Sequence, residues 1–479
     1  MAEDEGITVR KSENFSEWYV QAIIKSEFFD YGDISGTTIF RPDGYFIWER
    51  IHDYVDSLFK EAGVTNTYFP LLIPKKFLEK EKEHIEGFSP EVAWVTRAGQ
   101  SKLEEELAIR PTSETIMYPA FSRWIRSWRD LPYRYNQWNN VIRWEFKHPT
   151  PLLRNREFLW NEGHSVFADE ESANLEKDQI LGIYEKTIKD LLCLKGIKGR
   201  KTESEKFAGG LASFSFEFLL PDGKTVQGPD FHHDGINFAK AFDITFLNKE
   251  GQKEYAFQNT YAISTRMIGV LLAVHGDDKG LVVPPGLSRY EVVIIPIFNE
   301  KTRAEVLAYA SKIQRALKTN FRVFLDERIE YTPGWKFNHW ELKGVPIRIE
   351  VGAREVKNSQ LTFVRRDTME KGIIRTENAL KEVEVLLAKI KETLLKRSSE
   401  FLDSHIIKSN DISKIKDIIA MGNIVQVSWC GIVTCEDKIK EVSGGKSTNM
   451  PFNLEVEQNS TCIYCGNKAK FVVNFGRSY

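Results

Sequence analysis

A short proline-rich segment, Val283-Pro284-Pro285-Gly286, divides the sequence into two parts with different patterning. Two adjacent prolines fix the backbone and remove two amide donors, so neither a helix nor a central strand continues through them. The chain of 479 residues is also too long for a single hydrophobic core. We therefore expect one large domain at residues 1–288 and further domains after the break.

Before the break, hydrophobic spacing predicts helices that flank a mixed antiparallel sheet. The helices are expected at residues 46–59, 115–128, 172–194 and 267–274, and strands at residues 133–146, 158–167 and within 207–257. Pro70 interrupts a β-rich run and therefore fits the edge or end of a sheet better than its centre. Cys193 lies in a leucine-rich stretch and is expected to be a small buried hydrophobic residue.

After the break, strands and helices alternate, which is typical of a small α/β domain. The strands are expected at 290–298, 321–325, 346–351 and 360–365, and the helices at 302–318 and 334–343. This domain is expected to span residues 289–376. A long helix at 377–396 then begins a third, smaller module at residues 377–479.

The overall composition gives no sign of a membrane or a secretory route. The 66 basic and 68 acidic residues leave a net charge of −2, so any nucleic-acid partner must be bound by a local basic surface. Residues 1–5 are acidic, and no run approaches the roughly 20 apolar residues of a membrane span. We expect a cytoplasmic protein with no membrane partner.

Four of the five cysteines occur as two close pairs in the third module. Cys430 and Cys435 are separated by four residues, and Cys462 and Cys465 by two. Paired thiols in a cytoplasmic chain favour a metal over a disulfide, and this spacing suits tetrahedral zinc. Four thiolate ligands leave no open coordination position, so the zinc is expected to be structural.

Three separated segments carry the arginines that point to chemistry. The first is Arg110-Pro111-Thr112-Ser113-Glu114-Thr115, the second runs from Arg143-Trp144-Glu145 to Arg154-Asn155-Arg156-Glu157-Phe158, and the third is Ser264-Thr265-Arg266. Guanidinium groups stay charged and bind oxyanions in a two-pronged geometry. A carboxylate such as Glu145 can accept from an adenine amino group, and Phe158 offers a face to the purine ring. Each segment alone is more often a surface ion pair, but together they predict a triphosphate site.

These segments resemble the signature motifs of the class II aminoacyl-tRNA synthetases. Arg-x-Glu followed by a loop and Arg-x-x-x-Phe resembles motif 2, Arg266 resembles the arginine of motif 3, and Pro70 resembles the dimer-forming motif 1. The stretches 110–115, 137–138, 143–149 and 156–164, with 334–337, 340–346, 348–352 and 365–367 after the break, are similar to prolyl-tRNA synthetases of the archaeal and eukaryotic type. The similarity runs over nearly the whole chain.

The resemblance implies an α+β multidomain fold: an antiparallel-sheet class II catalytic domain, an α/β anticodon-binding domain and a small C-terminal zinc-binding α/β module. It implies a homodimer that activates L-proline with ATP and Mg²⁺ and charges tRNA(Pro). The residues implied for ATP are Arg143, Glu145, Arg154, Phe158, Gln227 and Arg266, with Arg143 and Arg266 also acting in catalysis. Those implied for proline are Thr112, Glu114, Arg143, Trp160, Glu162, His164, Phe207 and His232. Those implied for the anticodon are Glu341, Arg348 and Arg354.

Two stretches depart from the family pattern. Residues 227–238 place Asp230 and Phe231 where a threonine–serine pair is usual, and Asp234 where a leucine is usual. Residues 260–262 read Thr-Tyr-Ala where Ser-Trp-Gly is typical. Two alternatives follow from the sequence: a threonyl-, seryl- or glycyl-specific enzyme, and a catalytically weak or silent synthetase-like RNA-binding protein. Trp160, His164 and Phe207 favour proline.

Overall fold

The computed structural model describes residues 6–84, 91–145 and 148–479. Before the proline break it has helices on both sides of a sheet. The helices are α1 (Phe15–Lys25), α2 (Pro42–Glu61), α3 (Lys75–His84), α4 (Glu114–Trp124), α5 (Glu170–Lys186), α6 (Asn237–Phe242) and α7 (Arg266–His275). The strands are β1 (Phe29–Tyr31), β2 (Thr38–Phe40), β3 (Thr65–Asn66), β4 (Leu72–Pro74), β5 (Trp94–Ala98), β6 (Ser101–Ile109), β7 (Tyr133–Ile142), β8 (Glu157–Phe167), β9 (Ile197–Arg200), β10 (Ala212–Leu219), β11 (Lys224–Gly235), β12 (Thr245–Leu247), β13 (Lys253–Tyr255) and β14 (Phe257–Ser264).

After the break, the elements alternate as the sequence predicts. The helices are α8 (Arg303–Leu317), α9 (Pro333–Leu342), α10 (Ala353–Lys357), α11 (Ala379–Ser404), α12 (Ile415–Ala420) and α13 (Val433–Ser443). The strands are β15 (Val292–Ile297), β16 (Val323–Leu325), β17 (Ile347–Gly352), β18 (Gln360–Arg365), β19 (Lys371–Arg375), β20 (Ile406–Lys408), β21 (Ile424–Trp429), β22 (Lys446–Ser447), β23 (Met450–Pro451) and β24 (Phe471–Ser478). None of the helices in the described ranges is long and apolar enough to cross a membrane.

The central sheet is formed by strands that lie far apart in the sequence. Its main path runs β20, β21, β24, β11, β14, β8, β7 and β3. Strands β11, β14, β8 and β7 are mutually antiparallel neighbours, so their side chains form straight rows across one face. Helix α7 is buried along almost its whole length against this sheet, which confirms the buried helix predicted from residue 267 onward.

The α/β part has its own sheet, ordered β16, β15, β17, β18 and β19. The first three strands are parallel, whereas β18 and β19 are antiparallel additions. Strand β15 is almost completely buried, as its run of branched apolar residues predicts. Helices α8 and α11 contribute Val306, Ile313, Val383 and Leu394 to the core that covers it.

Several element ends differ from the sequence predictions. Strand β7 ends at Ile142, and the predicted end at Phe146, like Lys147, lies outside the described residues. Helix α5 ends at Lys186 and continues only as a π-turn over Thr187–Leu191. Cys193 therefore lies beyond the helix with a φ of 53°, although its predicted burial is confirmed.

The third module does not form a separate sheet. Strand β24 pairs with β21 inside the module and also lies parallel to β11, where Lys224 faces Arg477 and Thr225 faces Ser478. The module therefore extends the central sheet, a connection that local sequence patterning cannot predict.

Candidate active site

A cavity of about 270 Å³ lies above the rows of side chains on β8, β11 and β14. Its walls are formed by Thr112, Glu114, Arg143, Trp160, Glu162, Gly163, His164, Glu205, Phe207, Gln227, Asp230, His232, Thr260, Tyr261 and Ala262. Every residue that the sequence assigned to proline lies in this wall, and so does Gln227. The fold thus brings together residues from six separate segments of the chain.

The strand register explains why these side chains meet. Glu162 and His164 alternate on β8 and therefore point to the same face. Across the sheet, Asp230 faces Ala262 and Ala262 faces Glu162, while His232 faces Thr260 and Thr260 faces His164. The cavity floor consists of these two adjacent rows.

Glu162 is a buried carboxylate held by several donors. Its Oε1 accepts hydrogen bonds from the backbone N–H of Ser113 at 2.9 Å and the hydroxyl of Thr112 at 3.0 Å. Its Oε2 accepts from the side-chain amide of Asn139 at 2.9 Å and from the Ser113 hydroxyl. Burial raises the pKa of Glu162, but His164 and these donors outweigh it and bring the value to about 2. Glu162 is therefore an anion at neutral pH.

A second carboxylate and an imidazole lie beside Glu162. The ligand atoms of Glu114, Glu162 and His164 all lie within 4.8 Å of one another. The Thr112 hydroxyl lies within hydrogen-bonding distance of both carboxylates, Glu114 at the start of α4 and Glu162, and its single hydrogen is shared between them. Two buried carboxylates this close create a negative potential that favours a small cationic group, such as a substrate ammonium.

Aromatic rings form the sides of this anionic pocket. The indole N–H of Trp160 donates to Asn139 at 2.7 Å, which sets the orientation of the ring. The guanidinium of Arg143 lies 5.1 Å from the Trp160 ring and 5.5 Å from the Phe158 ring. On the opposite side, Phe207 stacks on His232 at 4.7 Å between ring centres. A compact apolar ring with a cationic nitrogen fits such walls.

His232 is held at the cavity wall by Ser213. Its Nδ1 lies 2.8 Å from the Ser213 hydroxyl, which also accepts a hydrogen bond from the backbone N–H of Phe207 at 2.8 Å. Burial lowers the pKa of His232, which favours the neutral ring. Its Nε2 lies 3.7 Å from the carboxylate of Asp230.

Arg266 opens helix α7 at the edge of the cavity. Its Nε donates to the carbonyl of Leu153 at 3.1 Å, and its Nη1 donates to the carbonyl of Gln227 at 3.2 Å. Burial lowers the pKa of Arg266, and the nearby charge of Arg143 lowers it further. Two half-buried guanidinium groups that repel each other gain stability from a bound anion, as expected of a phosphate site.

Besides Arg266, three of the predicted ATP residues lie outside the cavity wall. Glu145 and Arg154 are exposed, on either side of the two residues that the structure leaves undescribed. Phe158, on β8, lies beside the guanidinium of Arg143 and is not among the residues of the cavity wall. The roles of these three in adenine and triphosphate binding remain predictions.

Sequence reasoning missed residues that position the site. Asn139 contacts both Glu162 and Trp160, and Ser113 donates twice to Glu162. The available signal was the alternation on β7, which places Gln137 and Asn139 on the face that carries Glu162. Glu205 was also missed, and its segment gave no signal. Asp230, Thr260 and Ala262, noted as departures from the family pattern, all line the cavity.

The four paired cysteines converge as their spacing predicts. The sulfur atoms of Cys430, Cys435, Cys462 and Cys465 lie within 4.8 Å of one another. The Cys430 and Cys465 sulfurs are 3.8 Å apart. Two sulfur ligands of a tetrahedral zinc, with Zn–S bonds of about 2.3 Å, are separated by about the same distance. Burial raises the pKa of Cys430 and Cys435, whereas backbone N–H donors outweigh burial at Cys462 and bring its pKa to about 7. The donor set therefore fits Zn²⁺.

In the α/β part, two of the predicted anticodon residues contact each other. Arg348 donates to Glu341 at 2.6 Å and to Glu350 at 3.1 Å, and its guanidinium lies 4.3 Å from the Phe337 ring. Both residues border a small hollow between α9 and β18. Arg354 lies apart from this hollow, exposed on the short helix α10.

Comparison with known proteins agrees with this architecture. The tRNA synthetase class II core domain (G, H, P, S and T) matches residues 94–275, an anticodon binding domain matches 291–386, and the C-terminal domain of prolyl-tRNA synthetase matches 412–479. A proline–tRNA ligase of Symbiobacterium thermophilum is 45% identical over 478 residues, covering 98% of this chain and 97% of that protein. The chain belongs to the proline–tRNA ligase family.

Two further relatives extend this finding. The bifunctional glutamate/proline–tRNA ligase of Mus musculus is 46% identical over 99% of this chain, which spans only 33% of that longer protein. The crystal structure of prolyl-tRNA synthetase from Cryptosporidium parvum, complexed with halofuginone and AMPPNP, superposes with a TM-score of 0.95 at 44% identity, covering 99% of this chain and 100% of that one. The predicted fold class is confirmed, and the comparisons give no support to a catalytically silent RNA-binding protein.

Proposed function

We propose that the chain is a proline–tRNA ligase, which activates L-proline with ATP and transfers it to the 3′ end of tRNA(Pro). One observation carries the proposal: a single cavity joins an anionic, aromatic-walled pocket to Arg143, and Arg266 donates to the carbonyl of the wall residue Gln227. The first feature fits the secondary ammonium and ring of proline, and the second fits ATP. A family relationship over nearly the whole chain supports the same activity.

In the first step, a carboxylate oxygen of proline attacks the α-phosphorus of ATP, and the bond to the leaving diphosphate breaks. Arg143 and Arg266 reduce the repulsion between the two anions and hold the reacting groups in line. Glu114 and Glu162 bind the ammonium, while Trp160, Phe207 and His164 enclose the ring. In the second step, the terminal hydroxyl of tRNA attacks the carbonyl carbon of the adenylate and AMP leaves. No side chain is needed as a nucleophile.

Mg²⁺ accompanies ATP and neutralises part of the triphosphate charge. Among the cavity residues, Asp230 offers a carboxylate of the kind that Mg²⁺ accepts beside phosphate oxygens. We assign the adenine and outer phosphates to Glu145, Phe158 and Arg154, as the sequence predicts. Gln227, which lies in the cavity wall and donates to Asp230, is assigned to ATP with them.

We propose that Zn²⁺ binds the four cysteines of the third module as a structural ion. The convergence and spacing of the four sulfur atoms support this assignment. Because β24 pairs with β11, an ordered module stabilises the sheet that carries Gln227 and His232. Within the described residues none of the five cysteines forms a disulfide, which suits the predicted cytoplasmic location.

We propose that the α/β part reads the anticodon through Glu341, Arg348 and Arg354. Carboxylate and guanidinium groups can bind the base edges of a single-stranded loop, and Phe337 can contribute a ring for stacking. Support comes from the contact of Glu341 with Arg348 at the rim of a hollow. The match to an anticodon binding domain covers the same elements.

We also propose a homodimer through the surface around Pro70. Four large apolar side chains are exposed on this surface: Tyr68, Leu71, Leu72 and Trp94. They lie close together, because β4 and β5 flank β6 in one small sheet. An apolar patch of this kind marks a protein interface. Sedimentation equilibrium should give a dimer, and Trp94→Glu should yield monomers.

Amino-acid-dependent ATP–diphosphate exchange tests the central proposal. The purified chain is incubated with each of the twenty amino acids in turn, and exchange above background is expected with L-proline. Charging of tRNA(Pro) with labelled proline then tests the second step. Exchange with another amino acid alone, or with none, would contradict the proposal.

A further inference from the structure

Two residues of the cavity wall lie on an irregular turn and not on a strand of the central sheet. Residues 202–207 follow β9 and include Glu205 and Phe207, which both line the cavity. Inside this turn, the amides of Glu205 and Lys206 donate to the carbonyl of Thr202 at 3.2 and 3.0 Å. We call residues 202–207 the wall turn. Its internal bonds shape the turn, but contacts with other parts of the chain must set where it lies.

A buried carboxylate of the third module contacts the start of the wall turn. Glu436, on α13, is fully buried and directly follows Cys435. Its Oε1 accepts hydrogen bonds from the hydroxyls of Thr202 at 2.8 Å and Ser204 at 2.7 Å. The hydroxyl of Ser447, within the module, donates to the same oxygen. One carboxylate oxygen thus joins the module to two residues of the wall turn.

Lys440, one helical turn further along α13, contacts the middle of the wall turn. Its ammonium donates to the Ser204 hydroxyl at 2.8 Å and to the Glu205 carboxylate at 2.9 Å, and lies 3.0 Å from Glu436. These contacts use all three of its N–H donors. The side chains of Lys440 and Glu205 are only 20% and 25% exposed, so water and salt screen this pair less than an ordinary surface pair.

Both ends of the wall turn are also fixed. At the end, the backbone N–H of Phe207 donates to the Ser213 hydroxyl at 2.8 Å, and the Phe207 ring stacks on His232. At the start, β9 pairs with the short strand β23 of the third module, where Met450 faces Arg200. The wall turn is therefore held between the catalytic domain and the third module.

Holding this turn should matter for the amino acid more than for the chemical step. A pocket binds a small ligand more tightly when its walls are ordered in advance, because binding then does not include the cost of ordering them. Proline is small and mostly apolar, so its affinity depends on how closely the walls enclose it. Its attack on ATP is assisted by Arg143, which lies on a different segment.

We propose that Glu436 and Lys440 are positioning residues for proline binding, which hold Glu205 and Phe207 of the wall turn at the amino-acid pocket. The inference rests on the proposed function and deepens it, because it makes the third module part of the amino-acid site. Neither Glu436 nor Lys440 is among the residues of the cavity wall. Both therefore act through the wall turn and not by contact with the substrate.

Kinetics of proline-dependent ATP–diphosphate exchange test this role. In Lys440→Ala, the KM for L-proline should rise about tenfold, the effect of about one hydrogen bond. The kcat and the KM for ATP should stay close to the wild-type values, a split that general damage to the fold would not produce. Lys440→Arg keeps the charge and the donors, and should bring the KM for L-proline back toward the wild-type value.

A second pair of variants tests the contact from its other side. Thr202→Val keeps the shape of the side chain but removes the hydroxyl that donates to Glu436, and should also raise the KM for L-proline. Glu436→Gln should do the same. The double variant should raise this KM by less than the product of the two single effects, because both changes weaken the same contact.

Lys438→Ala is the matched control. Lys438 lies on the same helix, is 53% exposed and pairs with Glu441, so all three kinetic parameters should stay unchanged. A wild-type KM for L-proline in both Lys440→Ala and Thr202→Val overturns the inference, and so does a loss confined to kcat. Both outcomes leave proline-dependent exchange by the wild-type chain in place. Absence of that exchange in the wild type would instead overturn the proposed function.

Discussion

The backbone N–H of Tyr479 donates a hydrogen bond to the carbonyl oxygen of Thr225 over 3.0 Å. Thr225 lies on β11, two residues before Gln227 in the cavity wall. The Tyr479 ring lies under the ammonium of Lys224 at 4.6 Å and packs against the core of the central sheet. The cysteine module is thereby attached to a strand of the active site, and its folding state should affect catalysis.

Loss of zinc should therefore reduce activity at the active site. Cys462→Ser removes one of four thiolates, so the purified variant should hold less than half an equivalent of zinc. We expect a lower Tm and reduced diphosphate exchange, because β24 would no longer pair stably with β11. Metal analysis, calorimetry and exchange assays measure the three effects. The matched control is Cys193→Ala, whose thiol is buried elsewhere and should leave the zinc content unchanged. Full zinc content in Cys462→Ser would contradict the site.

The sequence predicts the site well where the chemistry depends on alternation along one strand. Glu162 and His164 fall on one face of β8 because they are two residues apart, and Arg266 begins a helix that the apolar run makes evident. Roles that depend on pairing between strands, such as that of Asn139, are not evident locally. Register is set by tertiary packing, so no local pattern encodes it.

The same limit explains two differences between the predicted and the observed fold: the length of α11 and the pairing of β24 with β11. Residues 397–404 look too polar to continue a helix, yet α11 extends to Ser404 because Leu402 is buried and Ser398 accepts from the backbone of Lys195. The pairing of β24 with β11 joins segments about 250 residues apart, which only the three-dimensional arrangement reveals.

Arg143→Ala should abolish proline-dependent diphosphate exchange. The guanidinium packs over Trp160 and donates to the carbonyl of Pro111 at 3.0 Å, so it can meet a phosphate without reorganising. Removing one such charge from a preorganised site lowers kcat about 10²- to 10³-fold. Far-ultraviolet circular dichroism should show an intact fold. Arg315→Ala, on the exposed face of α8, should exchange normally. Near-normal exchange in Arg143→Ala would exclude its assigned role.

Glu162→Gln should weaken both proline binding and the fold. The new amide would oppose the donors of Ser113 and Asn139, which costs roughly 1–3 kcal/mol. We expect a higher KM for L-proline and a lower Tm at pH 7. Because the folded pKa of about 2 is below the ordinary value, the carboxylate stabilises the wild type above about pH 4.5. That contribution disappears as the pH falls toward 2.

The difference in Tm between Glu162→Gln and the wild type should accordingly shrink on acidification. Calorimetry from pH 7 down to the lowest pH at which both proteins stay folded measures this trend. Glu377→Gln, at a carboxylate that is 72% exposed, should show no Tm difference at any pH. A Tm difference for Glu162→Gln that does not change with pH would contradict the assigned ionisation.

Glu341→Ala should separate the two steps of the reaction. The residue lies in the α/β part, so diphosphate exchange should stay at the wild-type rate. Loss of one base contact should reduce the charging of tRNA(Pro) about ten- to hundredfold, the effect of roughly 1–3 kcal/mol. Charging of transcripts that carry altered anticodons should become less selective. Glu384→Ala, on the exposed face of α11, provides the control. Equal losses in exchange and charging would rule out a role confined to the anticodon.

Asp234→Leu should raise the Tm, and by more at pH 7.5 than at pH 5. The unfolded carboxyl ionises near pH 4, whereas burial keeps the folded one protonated to a much higher pH. Between these two pKa values the folded chain binds the additional proton, so wild-type stability falls as the pH rises. Leucine removes that loss along with the fully buried carboxyl. Calorimetry of both proteins at the two pH values measures the gain, and Asp243→Asn, at an exposed carboxylate just after α6, should give none. A gain independent of pH would mean that Asp234 does not remain protonated inside the fold, and a loss would mean that a partner satisfies it there.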